Sequence, residues 1–529
     1  MSSLNLDALI VREDFQVIGE GDPVPSKMSM SIRELEAGEF FSAGLRKPDF
    51  QRETSEWDAK RVIGLVRTFV EDQLIPGVIL WKNKDLIFVI DGSHRLSALL
   101  AWVLDDYGDG AASRAFFGTS IPDEQLVMAE RARAEIAKEV GSYADHRKAA
   151  SNPEAFGPDL VARARRLSTL TLDLQWVRGD ATRAEDSFIR INQQAATITP
   201  QELELIKDRR KPMAIGARAI RQKGTGHEYW KNFSSERQAI IRQHAVEIHD
   251  ILFTPTLSYP VKSADLPAGG SVTAGTALRM IYDFIAVAVG LESAIDKNED
   301  KDGSRTITFL IRTKKLAKRI ISNDASSLGL HPAVYFYSWT GKQLPVMFLA
   351  IARLVVHLEQ NNAMAKFTKA REEFESFLVA NRALLNQVIR KFGAGNSGRQ
   401  NLYAFYEDVL MAIVGGAKVD GITAAIQQSG KYSYLQPDET SYDGVRPTRF
   451  SKQVKAGVVI QTLLESAPRC AICSGLVPTN AISVDHIERK KDGGASVQSN
   501  AQITHPYCNT GYKEYLTHID RKAGAARAP

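Results

Sequence analysis

The sequence predicts a multidomain α+β protein with an α/β domain at its N-terminus, a helical region in its middle and a small metal-stapled module at its C-terminus. Three observations lead to this prediction. Strand-like and helix-like apolar runs alternate before residue 215, helical periodicity dominates residues 216–440, and all three cysteines follow residue 469. We therefore expect domains over residues 1–215, 216–440 and 441–529.

Composition places the chain among ordinary globular proteins. Its 529 residues are 44% hydrophobic and 24% charged, which suits several domains with apolar cores. The N-terminus has no apolar segment before a small-residue cleavage site, so we expect no signal peptide. The nearest candidate for a membrane span, residues 280–291, is short and contains Asp283. This predicts a buried helix and no membrane partner.

In chain order, the first clear signal is an α/β arrangement that follows a weakly patterned lead-in over residues 1–45. A run over residues 62–70 has the period of a helix. Apolar runs at residues 78–81 and 86–90 then predict two strands. The second strand leads directly into Asp91-Gly-Ser-His-Arg95, so the sequence predicts a strand, a polar turn and a helix.

This turn carries groups that suit a phosphate. It places a glycine, a hydroxyl, an imidazole and a guanidinium at a helix N-terminus, where backbone N–H groups and the helix dipole favour an anion. The alternative is an ordinary helix start in which the Ser93 side chain caps the first N–H groups. Taken alone, the motif favours that alternative.

Two further motifs change this interpretation: Phe50-Gln-Arg52 and Phe188-Ile-Arg-Ile-Asn192. Together with the turn, they resemble in order and spacing the ParB/sulfiredoxin-like domain of GmrSD-type restriction proteins, over about residues 35–210. That family usually has Asp-Gly-Gln-Gln-Arg in the turn, so Ser93 and His94 depart from its pattern. The resemblance implies a domain that binds and hydrolyses a nucleoside triphosphate and, in some relatives, senses modified DNA.

The resemblance also implies which residues form the nucleotide site. The implied site consists of Asp91, Gly92, Ser93, His94, Arg95, Gln51, Arg52, Arg190 and Asn192. Arginine suits bidentate contacts with phosphate oxygens, and Asp91 would hold the turn, a Mg²⁺ ion or an attacking water. The sequence does not choose among these roles, and it does not identify the nucleotide.

Helical periodicity dominates the middle of the chain, to which we assign a connecting and sensing role without chemistry. Before it, residues 122–150 are expected to form a charge-rich helical insertion. Further helices are expected at residues 237–253, 274–291, 344–360, 367–392 and 402–414. The basic segment 301–318 starts with a β-rich run at Thr306; nucleic-acid contact is one interpretation, and a solvated loop followed by a helix is favoured. Residues 429–451 have the composition of a linker.

The C-terminal cysteines belong to two ligand pairs with the spacing of a zinc site. Cys470-Ala-Ile-Cys473 and His505-Pro-Tyr-Cys508 each place two ligating side chains on one tight turn. Three thiolates and one imidazole suit zinc, and four protein ligands leave no open position for water. We therefore predict a structural Zn²⁺ ion that holds the module together. Because this site takes every cysteine, no disulfide is expected, which fits the reducing cytoplasm.

An alternating, strand-like run over residues 482–487 lies between the two ligand pairs. It contains an Asp-His pair, and a Gly-Gly turn and two asparagines follow it: Asp485, His486, Gly493, Gly494, Asn500 and Asn509. This order resembles the HNH nuclease family, whose module has a ββα-metal fold. Four departures from the family pattern occur at Arg489, Ala501, His505 and Lys513, the last of which falls one residue later than usual.

The HNH resemblance implies a catalytic role for each of four residues, and none of the departures removes one of them. His486 would be the general base that activates a water against the scissile phosphate. Asp485 and Asn509 would hold Mg²⁺ or Mn²⁺, and Asn500 would brace the loop. A neutral imidazole accepts a proton near pH 7, and hard divalent ions prefer oxygen ligands. The alternative is a zinc knuckle without catalysis.

Positive charge is concentrated at the C-terminal end. Residues 451–529 hold ten Lys or Arg against six Asp or Glu, and the formal net charge of the whole chain is +5. Arg489-Lys-Lys491 follows the predicted catalytic strand, where cations suit the phosphates of a polyanion. The alternative for such a run is a solvated loop.

The first hypothesis is a cytoplasmic DNA endonuclease whose HNH module is regulated by the N-terminal nucleotide-binding domain, as in modification-dependent or anti-phage restriction enzymes. Its expected partner is double-stranded DNA, including modified or phage DNA, and its expected cofactors are Zn²⁺, Mg²⁺ or Mn²⁺, and a nucleoside triphosphate. The alternative is a nucleotide-hydrolysing DNA-binding regulator with a non-catalytic, zinc-stapled HNH-like module, and RNA cleavage is a third hypothesis. The trigger, the direction of nucleotide control and the formation of a homo-oligomer stay open.

Overall fold

The computed structural model of the protein describes residues 4–15, 25–51, 57–118, 121, 123–195, 200–263, 265–291, 298–428, 430–436 and 449–525. The chain forms two compact units: Met1–Arg210 with Thr225–Asn232, and Lys211–Gly224 with Phe233–Pro529. The division into three domains at residues 215 and 440 stays a prediction. Within the described ranges, no helix combines the length and the apolar composition needed to cross a bilayer.

The first unit is built on a mixed β-sheet. Its described residues contribute six strands: β1 (Arg12–Glu13), β2 (Ser29–Ser31), β3 (Leu45–Pro48), β4 (Val78–Asn83), β5 (Leu86–Asp91) and β6 (Thr171–Trp176). Their spatial order is β1-β3-β5-β4-β6-β2. Strand β3 is parallel to β1 and β5, whereas β4 is antiparallel to β5 and parallel to β6. The two predicted strands are confirmed as β4 and β5.

Helices lie between and after these strands along the chain. They are α1 (Phe40–Gly44), α2 (Ala59–Val70), α3 (Ser93–Leu104), α4 (Ala111–Phe117), α5 (Asp123–Glu139), α6 (Tyr143–Ser151), α7 (Pro158–Arg166), α8 (Ala181–Ala195) and α9 (Pro200–Lys207). The predicted helical run lies in α2, where Val62, Val66 and Val70 join the apolar core with α3 and the central strands. The predicted charge-rich insertion is confirmed as α5 and α6.

The second unit is largely helical. Its helices are α10 (Pro212–Arg221), α11 (Ser235–Phe253), α12 (Ala277–Val289), α13 (Ser304–Ile320), α14 (Pro332–Tyr335), α15 (Pro345–Gln360), α16 (Met364–Lys369), α17 (Arg371–Ala380), α18 (Arg382–Phe392), α19 (Asn396–Val414), α20 (Val419–Gln427) and α21 (Lys452–Ser466). Asp283 of α12 is buried and pairs with Arg279 and Arg399, as expected for a helix inside a protein. The predicted linker falls largely on residues 437–448, outside the described ranges.

Two sequence expectations for this unit are wrong. The β-rich start at Thr306 belongs to α13, because the Asp300 carboxylate accepts hydrogen bonds from the N–H groups of Gly303 and Thr306 and caps the helix. The single helix expected at residues 367–392 is divided into α16, α17 and α18. At the second break, the Asn381 side chain donates to a carbonyl oxygen one turn earlier, which competes with continued helix.

The C-terminal module follows α21 and consists of a hairpin and a helix. Strand β7 (Ser483–His486) pairs with β8 (Ala501–Thr504) in antiparallel register, and a π-helical turn (Cys508–Tyr512) leads into α22 (Lys513–Ala525). The predicted strand at residues 482–487 and the predicted α+β class are confirmed. The module is hydrogen-bonded to the loop before α14, since Tyr507 N–H donates to Ser327 and the Thr510 hydroxyl donates to Ala325.

A fully buried ion pair joins the helices to this module. Arg371 and Glu375 lie one turn apart on α17, each is 1% exposed, and Arg371 Nε lies 2.7 Å from Glu375 Oε1. Arg371 Nη1 donates to the carbonyl oxygen of Leu328, and Nη2 donates to that of Gly329. The second carboxylate oxygen of Glu375 accepts the backbone N–H of Leu476, in the C-terminal module.

These contacts decide the protonation state of Glu375. Burial alone would raise its pKa, but the charge of Arg371 and the N–H of Leu476 outweigh burial and lower the pKa. The Tyr335 hydroxyl donates to the same carboxylate at 3.0 Å. Glu375 is therefore an anion inside the protein. Its carboxylate accepts hydrogen bonds from Arg371, Tyr335 and Leu476 and so fixes the positions of these donors.

Replacing Glu375 with Gln should lower the free energy of unfolding by about 3–5 kcal/mol, because it leaves the buried Arg371 charge without its counter-ion. The urea midpoint, followed by circular dichroism, measures this change. Since the folded-state pKa of Glu375 is lowered, its contribution is present above the unfolded pKa and is lost as pH falls through the folded value. The variant should therefore lose less stability in acid than the wild type.

Glu373→Gln is the matched control, because Glu373 is an exposed glutamate on the same helix. Its urea midpoint should stay close to that of the wild type. Equal midpoints for Glu375→Gln and the wild type would contradict the role given to the buried pair.

Candidate active site and metal centre

The four predicted zinc ligands come together in one buried cluster: Cys470, Cys473, His505 and Cys508. Their ligating atoms all lie within 4.8 Å of one another. His505 Nδ1 lies 3.3 Å from Cys473 Sγ and 3.8 Å from Cys508 Sγ. Zn–N and Zn–S bonds of about 2.1 and 2.3 Å place tetrahedral ligands about 3.6 Å apart. The cluster therefore fits a tetrahedral zinc ion.

The imidazole of His505 is oriented to bind a metal through Nδ1. Its Nε2 lies 3.1 Å from the carbonyl oxygen of Leu476, which can only accept, so Nε2 carries the proton and Nδ1 keeps a lone pair toward the thiols. Burial lowers the pKa of His505, so the ring is neutral, as a metal ligand must be.

Asp485 is buried on β7 and is held by two residues. Lys513 Nζ lies 2.9 Å from its Oδ1 and 2.7 Å from its Oδ2, and Gln502 Nε2 lies 3.0 Å from its Oδ2. Gln502 is the cross-strand partner of Asp485 on β8. Sequence reasoning noted Lys513 only as a displaced family residue and did not single out Gln502, because neither pairing can be read from spacing.

His486 follows Asp485 and, as the next residue of a strand, faces the opposite side of the hairpin. It is half-buried, and its Nε2 lies 3.0 Å from Ser496 Oγ in the loop between β7 and β8. The hydroxyl fixes the orientation of the ring while leaving it accessible from solvent. The role of His486 as a general base stays a prediction.

Asn500 is hydrogen-bonded to the loop between the strands, and its role in a catalytic site stays a prediction. Its Nδ2 donates to the carbonyl oxygens of Glu488 and Ala495, and its Oδ1 accepts the N–H of Glu488 at 2.8 Å. A Cβ on Gly494 would lie 2.0 Å from the Glu488 carbonyl oxygen, so only glycine fits between these groups. The Gly-Gly turn and Asn500 thus hold the loop together as one unit.

Asn509 lies at the start of the π-helical turn, next to the ligand Cys508. Its Nδ2 donates to Ser483 Oγ at 2.9 Å and to the Val484 carbonyl oxygen at 3.3 Å, which leaves Oδ1 available for another group. A π turn closes a ring one residue larger than an α turn, so it accommodates an extra residue within a helix. This turn explains how Lys513 reaches Asp485 from its displaced position in the sequence.

The three cations after β7 differ in their surroundings. Arg489 is half-buried, donates to the Lys513 carbonyl oxygen and to the Thr517 hydroxyl, and lies 3.4 Å from Glu514 of α22. Lys490 and Lys491 are exposed. Phosphate contact by this run stays a prediction, and the structure assigns Arg489 a bracing role in the module.

In the first unit, residues 91–95 form the predicted turn between β5 and α3. Gly92 has φ +94°, and a Cβ there would lie 3.0 Å from Arg95 Nη2 and 3.1 Å from Val78 Cγ2. Arg95 pairs with Asp91 at 2.7 Å and also donates to the Gly77 carbonyl oxygen. The turn is therefore locked by its own arginine and requires glycine at its second position.

Ser93 and His94, the two residues of this turn that depart from the family pattern, have defined surroundings in the structure. Gly92 is the N-cap of α3, so Ser93 does not cap the helix as the alternative interpretation required, and Ser93 is only 3% exposed. The imidazole of His94 stacks on the indole of Trp57, with ring centroids 5.6 Å apart and an interplanar angle of 22°.

The other motifs reach this region through the sheet and its aromatic cluster. Strands β3 and β5 are parallel, so Gln51, just after β3, lies at the same sheet edge as Asp91. Phe50 packs against Phe188 of α8, with ring centroids 5.0 Å apart, in a cluster that also contains Phe88 and Ile90 of β5. Two of the motifs therefore share one apolar cluster with β5, the strand that leads into the turn.

Three predicted nucleotide ligands are not joined to the turn by a described contact. Arg52 lies outside the described residues, and so does the side chain of Asn192 on α8. Arg190 is exposed, and its Nε donates to the Asp186 carbonyl oxygen on its own helix. Their place in the site stays a prediction.

Sequence reasoning missed a buried ionic network beneath the first motif. Arg12 donates to the carbonyl oxygens of Pro48 and Gln51, and both Arg12 and Lys47 pair with Asp7. All three charged residues are at most 5% exposed. The sequence offers only a weak signal for this network, because it shows these charged residues within apolar segments of the lead-in.

Two family models match the chain. Residues 37–209 match the family described as GmrSD restriction endonuclease, N-terminal domain, and residues 470–514 match the family described as HNH endonuclease. No curated protein and no solved structure matches. The two matched ranges contain the turn at residues 91–95 and the Asp-His pair, respectively, and they confirm the resemblances found in the motifs.

Replacing Gly92 with Ala should destabilise the first unit by about 1–2 kcal/mol, because a non-glycine residue at positive φ is strained and its Cβ would press on Arg95. Thermal unfolding of the full-length protein measures the effect. Gly64→Ala on α2 is the control, since open space surrounds its Cβ and the substitution should be neutral or stabilising. Equal stability of the Gly92→Ala variant and the wild type would argue against a locked turn.

Proposed function

This chain combines the N-terminal domain of GmrSD-type restriction proteins with a C-terminal HNH endonuclease domain, and we propose that it is a metal-dependent DNA endonuclease controlled by a nucleotide. The observation that carries the proposal is the arrangement of the hairpin. A buried carboxylate, an accessible imidazole and a braced loop follow one another from Asp485 to Asn500.

In this proposal, His486 is the general base. Its imidazole removes a proton from the water that attacks the scissile phosphorus, and Ser496 keeps the ring in place. Asn500 acts at a distance from the phosphate, since all its amide contacts are to the loop backbone. It is a positioning residue that keeps the loop, and thus His486, in one geometry.

Asp485 and Asn509 suit a hard divalent ion because they offer a carboxylate and an amide oxygen. The hydrogen bonds of Asn509 Nδ2 direct its Oδ1 away from the hairpin backbone. A bound Mg²⁺ or Mn²⁺ would neutralise negative charge on the phosphoryl oxygens. The cysteine cluster would hold Zn²⁺ instead, since thiolates are soft ligands and no coordination position remains for a substrate.

The nucleotide would bind at the edge of the sheet in the first unit. The support is chemical: Arg95 is held against Asp91 at a helix N-terminus, where phosphate binding is favourable, and the His94–Trp57 stack provides a flat aromatic surface. Its hydrolysis would be coupled to DNA cleavage. We further propose that the substrate is modified or phage double-stranded DNA in the cytoplasm, whose reducing conditions suit the cysteine cluster.

His486→Ala should reduce DNA cleavage by roughly 10²–10⁴-fold, the usual contribution of a general base. The measurement is cleavage of modified and unmodified DNAs with Mg²⁺ or Mn²⁺ and each nucleoside triphosphate in turn. Zinc content should stay at about one ion per chain in this variant and fall in Cys508→Ser, because the two sites use different ligands.

His518→Ala is the matched control, since His518 is an exposed histidine on α22 of the same module. It should cleave like the wild type. DNA binding without cleavage by the wild type under every condition would favour a non-catalytic regulator, and full activity of His486→Ala would refute the assignment of the base.

Asp91→Ala and Arg95→Ala should each abolish nucleotide hydrolysis, since one removes the carboxylate of the turn and the other its phosphate-binding guanidinium. Phosphate release by the full-length protein measures this activity. Arg61→Ala, which changes an exposed arginine on α2, is the control and should hydrolyse nucleotide normally. Wild-type hydrolysis in both turn variants would exclude this turn as the site.

A further inference from the structure

Lys513 is held more completely than a surface lysine. Its ammonium group has three N–H donors and contacts three acceptors: both carboxylate oxygens of Asp485, at 2.9 and 2.7 Å, and the carbonyl oxygen of His486, at 2.6 Å. The lysine side chain is 16% exposed and that of Asp485 is 6% exposed. Lys513 therefore touches both residues of the Asp-His pair.

The contacts of Asp485 limit how it can bind a metal ion. A carboxylate offers about four lone-pair positions. Lys513 takes one on each oxygen, and Gln502 takes a second one on Oδ2. The position that remains is on Oδ1, so Asp485 can coordinate an ion through one oxygen while its other oxygen stays in the hydrogen-bond network.

We propose that Lys513 is a positioning residue that fixes Asp485 for coordination through one oxygen and weakens the affinity of the site for a free divalent ion. This inference rests on the proposed function, in which Asp485 holds the catalytic ion. The ammonium offsets the charge of the carboxylate that attracts the ion. Tight binding then needs a further anionic ligand, and the scissile phosphate of the DNA supplies one.

Two effects of Lys513 on metal binding have opposite signs. A hydrogen-bond donor that orients a ligating carboxylate usually strengthens metal binding, and its removal costs about 10–100-fold in affinity. A cation beside the ligand weakens metal binding by repulsion. Repulsion should win for Lys513, because Gln502 and the burial of Asp485 keep the carboxylate oriented when the lysine is absent. Gln502 is neutral, so only the orienting effect applies to it.

The test is a titration of the zinc-loaded, full-length protein with Mn²⁺ in the absence of DNA, with free Mn²⁺ followed by electron paramagnetic resonance. Lys513→Met should bind Mn²⁺ roughly tenfold or more tightly than the wild type. Gln502→Leu should bind about 10–100-fold more weakly. Lys513→Arg keeps the charge and Lys455→Met changes an exposed lysine on α21, so both should stay close to the wild type. Asp485→Asn should lose the site.

Zinc content and thermal unfolding establish that each variant is folded, and Lys513→Gln replaces Lys513→Met if the latter does not fold. Mn²⁺ affinity in Lys513→Met that is unchanged, weaker or undetectable would overturn the proposal. Weaker Mn²⁺ binding by both Lys513→Met and Gln502→Leu would show that Lys513 only orients the carboxylate.

Cleavage provides a second readout for Lys513→Met. Half-maximal cleavage should need less Mn²⁺ than in the wild type, while the rate at saturating Mn²⁺ should fall, because the lysine no longer holds the His486 backbone. A wild-type chain that binds Mn²⁺ as expected but cuts no DNA would refute the proposed function and leave the role of Lys513 intact.

Discussion

The buried pair of Arg371 and Glu375 joins the helices of the second unit to its C-terminal module. Two charges removed from water are tolerated only when each is paired and hydrogen-bonded. This requirement fixes the carbonyl oxygens of Leu328 and Gly329 on one side and the N–H of Leu476 on the other. The C-terminal module is therefore packed on the helices through a contact that cannot shift without leaving a charge unsatisfied.

That contact reaches the cluster of cysteines and His505 and, through it, the hairpin of β7 and β8. Leu476 offers its N–H to Glu375 and its carbonyl oxygen to His505, so one residue connects the ion pair with a zinc ligand. Cys508, another ligand, directly precedes Asn509 in the π-helical turn. The proposed soft and hard metal sites would thus share a short backbone segment, although their ligands are chemically distinct. A structural zinc ion would fix the positions of the segments at both ends of the hairpin, and the hairpin residues between these segments would carry out the catalysis.

In the first unit, an aromatic cluster holds together segments that are distant in the sequence. Its three motifs are far apart in the sequence, yet Phe50, Phe88 and Phe188 bring their backbones to one region of the sheet. Beneath the first motif, Arg12 and Lys47 are buried with Asp7. Polar residues of the turn can then occupy the sheet edge, because apolar packing and buried ion pairs already hold the segments that present them.

Local spacing along the chain was enough to predict the cluster of zinc ligands, strands β4, β5 and β7, and the turn at residues 91–95. Each depends on residues a few positions apart, whose geometry is set by turns and strand periodicity. The partners of Asp485, Arg371 and Arg489 could not be predicted in this way, because long flexible side chains choose their contacts only when distant segments pack together. The same holds for α13, where capping by Asp300 overrides the β-branched pattern at Thr306. Packing, rather than pattern, decides which charges are buried together.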